Sequence, residues 1–300
     1  MKGLISVNNS IFKPEEAAVP ALDRGLLFAD NAIEVMVAFH GQIIDFDSHI
    51  NRLRSSASEL DIPVPWTDEE FKFEIESLLE SLSMLKANIR IMITRGNGIS
   101  LDVPEGLIPN KIIWCYPAKL QDNRIYENGI SLKNKLLPYT NRGPAPKTGN
   151  YLRSITALNK AKKESFDDVL WANSSEELTE ATTANIFFIG RQGDLVEIAT
   201  PPANSGLLVG ITRNTIASLL RRSQIAVTER IIYKDEIARF DEAFVCSTVR
   251  GLVPVCRIDR HRMHTMRENS TFRHINRLYL TWIESQLGFR VDWNDGTAVK

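Results

Sequence analysis

Apolar positions recur along this chain with two periods, and the switching between them marks out its elements. Asp47–Leu60 carries His49, Leu53, Ala57 and Leu60 on one helical stripe. Thr67–Leu85 predicts a second helix. Its apolar face is Phe71, Ile75, Leu78, Leu79 and Leu82, and Thr67 with Glu70 makes a capping box at its start. Asn88–Arg95 alternates Ile89, Ile91 and Ile93 and predicts a strand; Lys111–Tyr116 predicts another, ended by Pro117. After Asn150 a helix is expected with Tyr151, Ile155 and Leu158 inward, and Phe166–Ala172 reads as a buried strand. Leu178–Ile189 and Leu195–Thr200 read as a hairpin turning at Gln192-Gly193. Thr212–Arg222 is a helix after a glycine-containing loop. Ile225–Ile232 and Glu242–Ser247 are strands with a short helix between them. Strands and helices alternate without an internal repeat, so the class is α/β or α+β.

The polar segment 118–123 follows Pro117 and is the expected linker between an N-terminal domain, residues 1–117, and a C-terminal domain, residues 124–300. A length of 300 residues is ample for two such domains. Composition narrows the function classes: 43% hydrophobic residues exclude global disorder, and a net charge of -1 lacks the basic excess that nucleic acid or an anionic membrane would call for. No apolar run approaches the roughly 18–20 residues that span a bilayer, and Met1 to Asn9 lacks the features of a signal peptide. Cys115, Cys246 and Cys256 lie in apolar stretches without C-x-x-C spacing, which predicts buried reduced thiols, no zinc site and a cytoplasmic location.

Four positions carry candidate chemistry, and each alone also has a plain structural explanation. Lys147 sits between a proline- and glycine-rich stretch and a helix start, where a held lysine can serve as an amine nucleophile; most lysines are solvated surface groups. In Gly206–Arg213 a loop delivers Gly210, Ile211 and Thr212 to the first turn of a helix, whose free N–H groups suit a phosphate; Thr212 could equally be a simple N-cap. Arg52 flanks the apolar stripe of its helix and could reach inward as a fork for phosphate, or lie in solvent. Glu180 lies within a strand-like segment, where a carboxylate needs a cationic or N–H partner unless the strand is a solvated edge. Together they ask for one ligand with a reactive aldehyde, a phosphate and a ring nitrogen: pyridoxal 5′-phosphate (PLP).

These residues resemble the class IV, fold type IV PLP enzymes, which include D-amino-acid transaminases, branched-chain aminotransferases and aminodeoxychorismate lyases. The resemblance runs from about Asp23 to Val255 and centres on Glu180, Thr182, Asn185-Ile186-Phe187, Ile198, Thr200, Leu208, Gly210-Ile211 and Arg213. Asp23-Arg24-Gly25, Phe28, Asp30 and Glu34 are similar to the family's N-terminal motif. His49 and Arg52 repeat its H-x-x-R, Lys147 and Asn150 its K-x-x-N, and Ser247-Thr248 with Pro254-Val255 its late motif. The resemblance implies a small N-terminal α/β sandwich and a larger, barrel-like C-terminal α/β domain. It implies that Lys147 forms the Schiff base and shuttles a proton, and that Glu180 pairs with the pyridine nitrogen. Arg52, the N–H groups of Ile211 and Thr212, and the hydroxyls of Thr212 and Thr248 would hold the phosphate, with Tyr151 near the ring oxygen. A homodimer acting on small amino acids and 2-oxo acids is implied as well.

The chain departs from the pattern where the substrate carboxylate is bound. Gly96–Asp102 (GNGISLD) has no arginine or histidine where D-amino-acid transaminases carry R-x-H, Ile33 replaces an aromatic residue, and Val37 sits where a basic residue is common. Arg257–Arg267 is basic where relatives are usually glycine-rich; it reads as a solvated surface loop, or Arg250 or this segment supplies the missing charge. Val249–Val255 is closer to the lyases. The expected activity is an aminotransferase; an aminodeoxychorismate lyase and a PLP-binding protein with little catalysis are the alternatives.

Overall fold

A computed structural model of the chain describes residues 2–140, 143–192 and 195–299. The chain forms two compact units. One is Met1–Leu120 with Pro146–Tyr151 and Gln286–Lys300; the other is Gln121–Ala145 with Leu152–Ser285.

The first unit is built on a six-stranded sheet of β1 (Leu4–Val7), β2 (Ser10–Phe12), β3 (Asn31–Phe39), β4 (Gln42–Ile43), β5 (Lys86–Thr94) and β6 (Asn110–Pro117), in the order β2-β1-β6-β5-β3-β4. Its helices are α1 (Arg24–Phe28), α2 (Phe46–Glu59) and α3 (Asp68–Leu82). β3 and β5 pair antiparallel over their whole length, from Asn31 opposite Thr94 to Phe39 opposite Lys86. Side chains alternate across a strand. Ala32, Met36 and Ala38 therefore share a face with Ile89, Ile91 and Ile93, and that face packs on Ile50, Leu53 and Ala57 of α2 and Phe71, Ile75 and Leu78 of α3. Thr67 caps α3 as its sequence predicts: its hydroxyl accepts from the Glu70 N–H at 3.2 Å and its own N–H donates to Glu70 Oε2 at 2.7 Å.

The second unit holds α4 (Arg124–Glu127), β7 (Ile130–Leu136), α5 (Leu152–Lys163), β8 (Asp168–Ala172), β9 (Leu178–Ala181), β10 (Asn185–Gln192), β11 (Leu195–Thr200), α6 (Ile211–Arg222), β12 (Thr228–Glu229), β13 (Glu242–Ser247), β14 (Gly251–Ile258), β15 (His261–Arg262) and most of α7 (Thr271–Leu287). Its nine strands run β12-β11-β10-β13-β14-β7-β8-β9, with β15 on β14, in a curled, half-barrel sheet. Ile186, Phe188, Val245, Val253 and Val255 lie in its core.

Several local expectations change. The strand expected over Leu178–Ile189 is two strands, because Ala181 N–H bonds to Ala184 O at 2.8 Å and closes a turn there. Of Ile225–Ile232 only Thr228–Glu229 pairs as strand. In α5 the inward stripe is Ala157 and Ala161, packed with Phe166, Val169 and Trp171, while Ile155 is 54% exposed. Small residues let this helix approach β8, while Leu152 and Ile155 are left outside. The turn at Gly193 and residues 141–142 lie outside the described residues. All three cysteines are free; Cys115 and Cys246 are buried, Cys256 only half so. Burial pushes the thiols of Cys115 and Cys246 up to about 12.

Candidate active site

In the first unit, Lys147 is fixed through its backbone. Its N–H donates to Ser56 Oγ at 3.0 Å and its carbonyl accepts from Ile33 N–H at 2.9 Å. Two residues on, Gly149 N–H donates to Asn31 Oδ1 at 2.8 Å. A Cβ on Gly149 would lie 2.8 Å from that same oxygen, so the close approach demands glycine. The half-buried Lys147 Nζ lies 3.3 Å from the Tyr151 hydroxyl.

Arg52 stands one helical turn before Ser56 on α2. Its Nε and Nη2 donate to Oε1 and Oε2 of Glu34 at 3.0 and 2.9 Å. His49 Nδ1 donates to the same carboxylate, which is completely buried. Burial works to raise the Glu34 pKa, but the His49 hydrogen bond and the Arg52 charge outweigh it and hold the carboxyl below its ordinary range.

In the second unit, Glu180 on β9 accepts from Leu208 N–H at 3.2 Å and from Asn185 Nδ2 at 3.4 Å, and Asn185 Nδ2 also reaches Leu208 O at 2.9 Å. These bonds tie the carboxylate to the loop that enters α6. The N-cap of α6 is Gly210, with no side-chain cap bond; Thr212 lies inside the first turn and is buried, which corrects the N-cap alternative for it. The first N–H groups of a helix have no intrahelical acceptor, so Ile211 and Thr212 present donors suited to an anion. Behind them buried Arg213 anchors the helix, donating to Glu229 at 2.9 Å and to Pro201 O at 3.0 Å. Thr248 lies in the turn between β13 and β14, two residues after Cys246, which pairs with Asn185 across the sheet.

Three features went unseen in the sequence. Asn31 and Ser56 hold the Lys147 turn, and no local pattern announces them. Arg90 had a signal: it falls between the inward Ile89 and Ile91 of β5 and so points to the opposite face, with Val35 and Trp114 beside it in register. Its Nε is buried and meets no hydrogen-bond partner among the described residues; the same is true of Asn88 Oδ1 and Trp114 Nε1. Arg250, by contrast, donates to Asp168 at 3.3 Å, so its charge is already matched.

The donor sets fit PLP. They include a primary amine on a fixed turn, a carboxylate held by N–H groups, and an uncapped helix end whose glycine leaves no room for a side chain: a Cβ on Gly210 would lie 2.0 Å from Asn185 Oδ1. Among the described residues there is no group of three or more acidic, histidine or cysteine side chains that could hold a metal, and no helix is long and apolar enough to cross a membrane.

The chain is similar to proteins of one known family. The family model "Amino-transferase class IV" matches residues 31–258. A Methanocaldococcus jannaschii protein assigned as a branched-chain-amino-acid aminotransferase is 32% identical over 266 residues, 85% of this chain and 88% of its own length. A D-alanine aminotransferase of Listeria monocytogenes is 27% identical over 259 residues, 85% of this chain and 87% of its own. The solved branched-chain amino acid aminotransferase of Escherichia coli superposes with a TM-score of 0.83 at 22% identity, covering 92% of this chain and 93% of that one, which is a likeness of fold. The chain belongs to the class IV aminotransferases, a PLP-dependent family.

Proposed function

We propose that the protein transfers an amino group between an amino acid of branched-chain or D type and a 2-oxo acid. The observation that carries this reading is Lys147, whose backbone is pinned by Ser56 and Ile33 and whose amine lies 3.3 Å from the Tyr151 hydroxyl, inside the span of the family match. The names of the relatives support both substrate types.

Bound PLP supplies an electron sink for the bond broken at the amino acid's Cα. When PLP is bound, Lys147 Nζ would hold its aldehyde and, once the substrate's amino group has displaced it there, the freed amine would take the proton at the substrate Cα, with the Tyr151 hydroxyl orienting it. Glu180 holds a proton at the ring nitrogen. Arg52, the N–H groups of Ile211 and Thr212, and the hydroxyls of Thr212 and Thr248 neutralise the phosphate. Arg90 takes a substrate carboxylate: it is a cation with a buried unpaired nitrogen, flanked by Val35 and Trp114, and so suits an acid with an apolar body. We further infer a cytoplasmic homodimer. Free cysteines support the location. Exposed Leu22, Leu26, Leu27, Ile99, Leu101 and Ile108, on two segments joined by the Gly98 N–H to Leu22 O bond, support the dimer.

The test is to offer the PLP-loaded protein a panel of D- and L-amino acids with 2-oxoglutarate. Release of the matching 2-oxo acid, abolished in Lys147→Ala, is the expected result. Release of p-aminobenzoate and pyruvate from aminodeoxychorismate without amino transfer would make it a lyase. PLP uptake with neither reaction would make it a binding protein.

A further inference from the structure

Glu34 has no substrate chemistry of its own in the reading above, yet it is the most completely enclosed carboxylate beside the residues of that reading. It stands on the helix-facing side of β3, opposite Ile91, where its neighbours along the strand are Ala32 and Met36. An apolar side chain would be expected at such a position. Two α2 residues three apart, His49 and Arg52, converge on it. Arg52 meets it fork to fork, Nε to Oε1 at 3.0 Å and Nη2 to Oε2 at 2.9 Å. Two parallel bonds fix the plane of a guanidinium as well as its position. His49 holds the carboxylate from a further side. A carboxylate only accepts, so Nδ1 carries the hydrogen.

We propose that Glu34 is a positioning residue that sets the plane of Arg52 for the cofactor's phosphate. The proposal rests on the phosphate role assigned to Arg52 above. An arginine side chain is long and loses much rotamer freedom when it is fixed. Here Glu34 fixes it when the unit folds, so that ordering does not recur when the phosphate binds. A carboxylate that merely balanced charge in the core would affect every form of the cofactor alike. One that acts through Arg52 affects only the form carrying a phosphate.

That difference is measurable with PLP and with pyridoxal, which lacks the phosphate. The full chain, stripped of cofactor, is titrated with each, for the wild type, Glu34→Gln, Arg52→Ala and the double variant. We expect Glu34→Gln to weaken PLP about 10-fold, to leave pyridoxal within about 2-fold, and to add nothing further in the Arg52→Ala background. Equal weakening of PLP and pyridoxal, or no weakening of PLP, overturns the role of Glu34. If Arg52→Ala itself leaves the PLP-to-pyridoxal ratio unchanged, the phosphate role of Arg52 falls, and the role of Glu34 with it. If Glu34→Gln does not fold, Glu34→Asp replaces it: the charge is kept and the fork displaced, and the same selective loss for PLP is expected.

Discussion

Arg250 Nη2 lies 3.3 Å from Asp168 Oδ2, and the two side chains are 19% and 4% exposed. Asp168 also accepts from Thr182 Oγ1 at 2.5 Å and from Val169 N–H at 2.8 Å, while Arg250 donates to Thr183 Oγ1 at 3.3 Å. The arginine is thus built into the second unit. Removing it strands a buried carboxylate, so Arg250→Ala should lower stability by about 1–3 kcal/mol. In a double-mutant cycle by urea denaturation, the loss should largely disappear when Asp168→Asn is already present. Michaelis constants for carboxylic substrates should respond far more to Arg90→Ala than to Arg250→Ala. The reverse ranking would return the carboxylate to Arg250.

Glu180→Gln keeps the side chain's size and its place beside Leu208 and Asn185. The variant should still take up PLP, seen by absorbance. On the proposed role of Glu180 in holding a proton at the ring nitrogen, the variant should turn over roughly 100-fold or more slowly. Full activity would remove that role from Glu180.

Gly210 is required by space, since its φ of -73° suits any residue. Its missing Cβ would lie 2.0 Å from Asn185 Oδ1. Gly210→Ala should therefore displace Asn185 and the Leu208 loop, and weaken PLP binding by roughly 10-fold in a fluorescence titration. A stability change of at most about 1 kcal/mol is expected, because a loop can yield more easily than a core.

Lys86 gives a pH signature. Burial holds its ammonium down at about 8, against the partial support of Asp292 and Asp295. It lies 4.9 Å from the Trp293 ring and donates to the Trp293 carbonyl. The folded pKa is below the unfolded one of about 10.4, so the folded state binds this proton more weakly. Its contribution is therefore full above about 10.4 and is lost as pH falls through about 8. The urea midpoint of the wild type should rise from pH 7.5 to pH 9.5 relative to that of Lys86→Met. Parallel profiles would mean that Lys86 does not titrate in this window.

The division between what was readable in the sequence and what was not follows the range of the interactions. The capping box at Thr67, the apolar faces of α2 and α3, and the strand Glu242–Ser247 depend on residues a few positions apart, and local spacing determined them. Membership of the family was legible for a different reason: the spaced pattern that includes Lys147, Arg52, Glu180 and Thr248 resembles it, and the family model spans residues 31–258. Tertiary structure decided which charges meet. Glu34 and Arg52 are 18 residues apart, and Asp168 and Arg250 are 82 apart, so each pairing depends on how a strand's register sets it against a distant helix or turn. It also decided that Ala157 and Ala161 face inward in α5 while Ile155 does not. Periodicity names a helix's apolar residues, but the room left by β8 selects the face that fits.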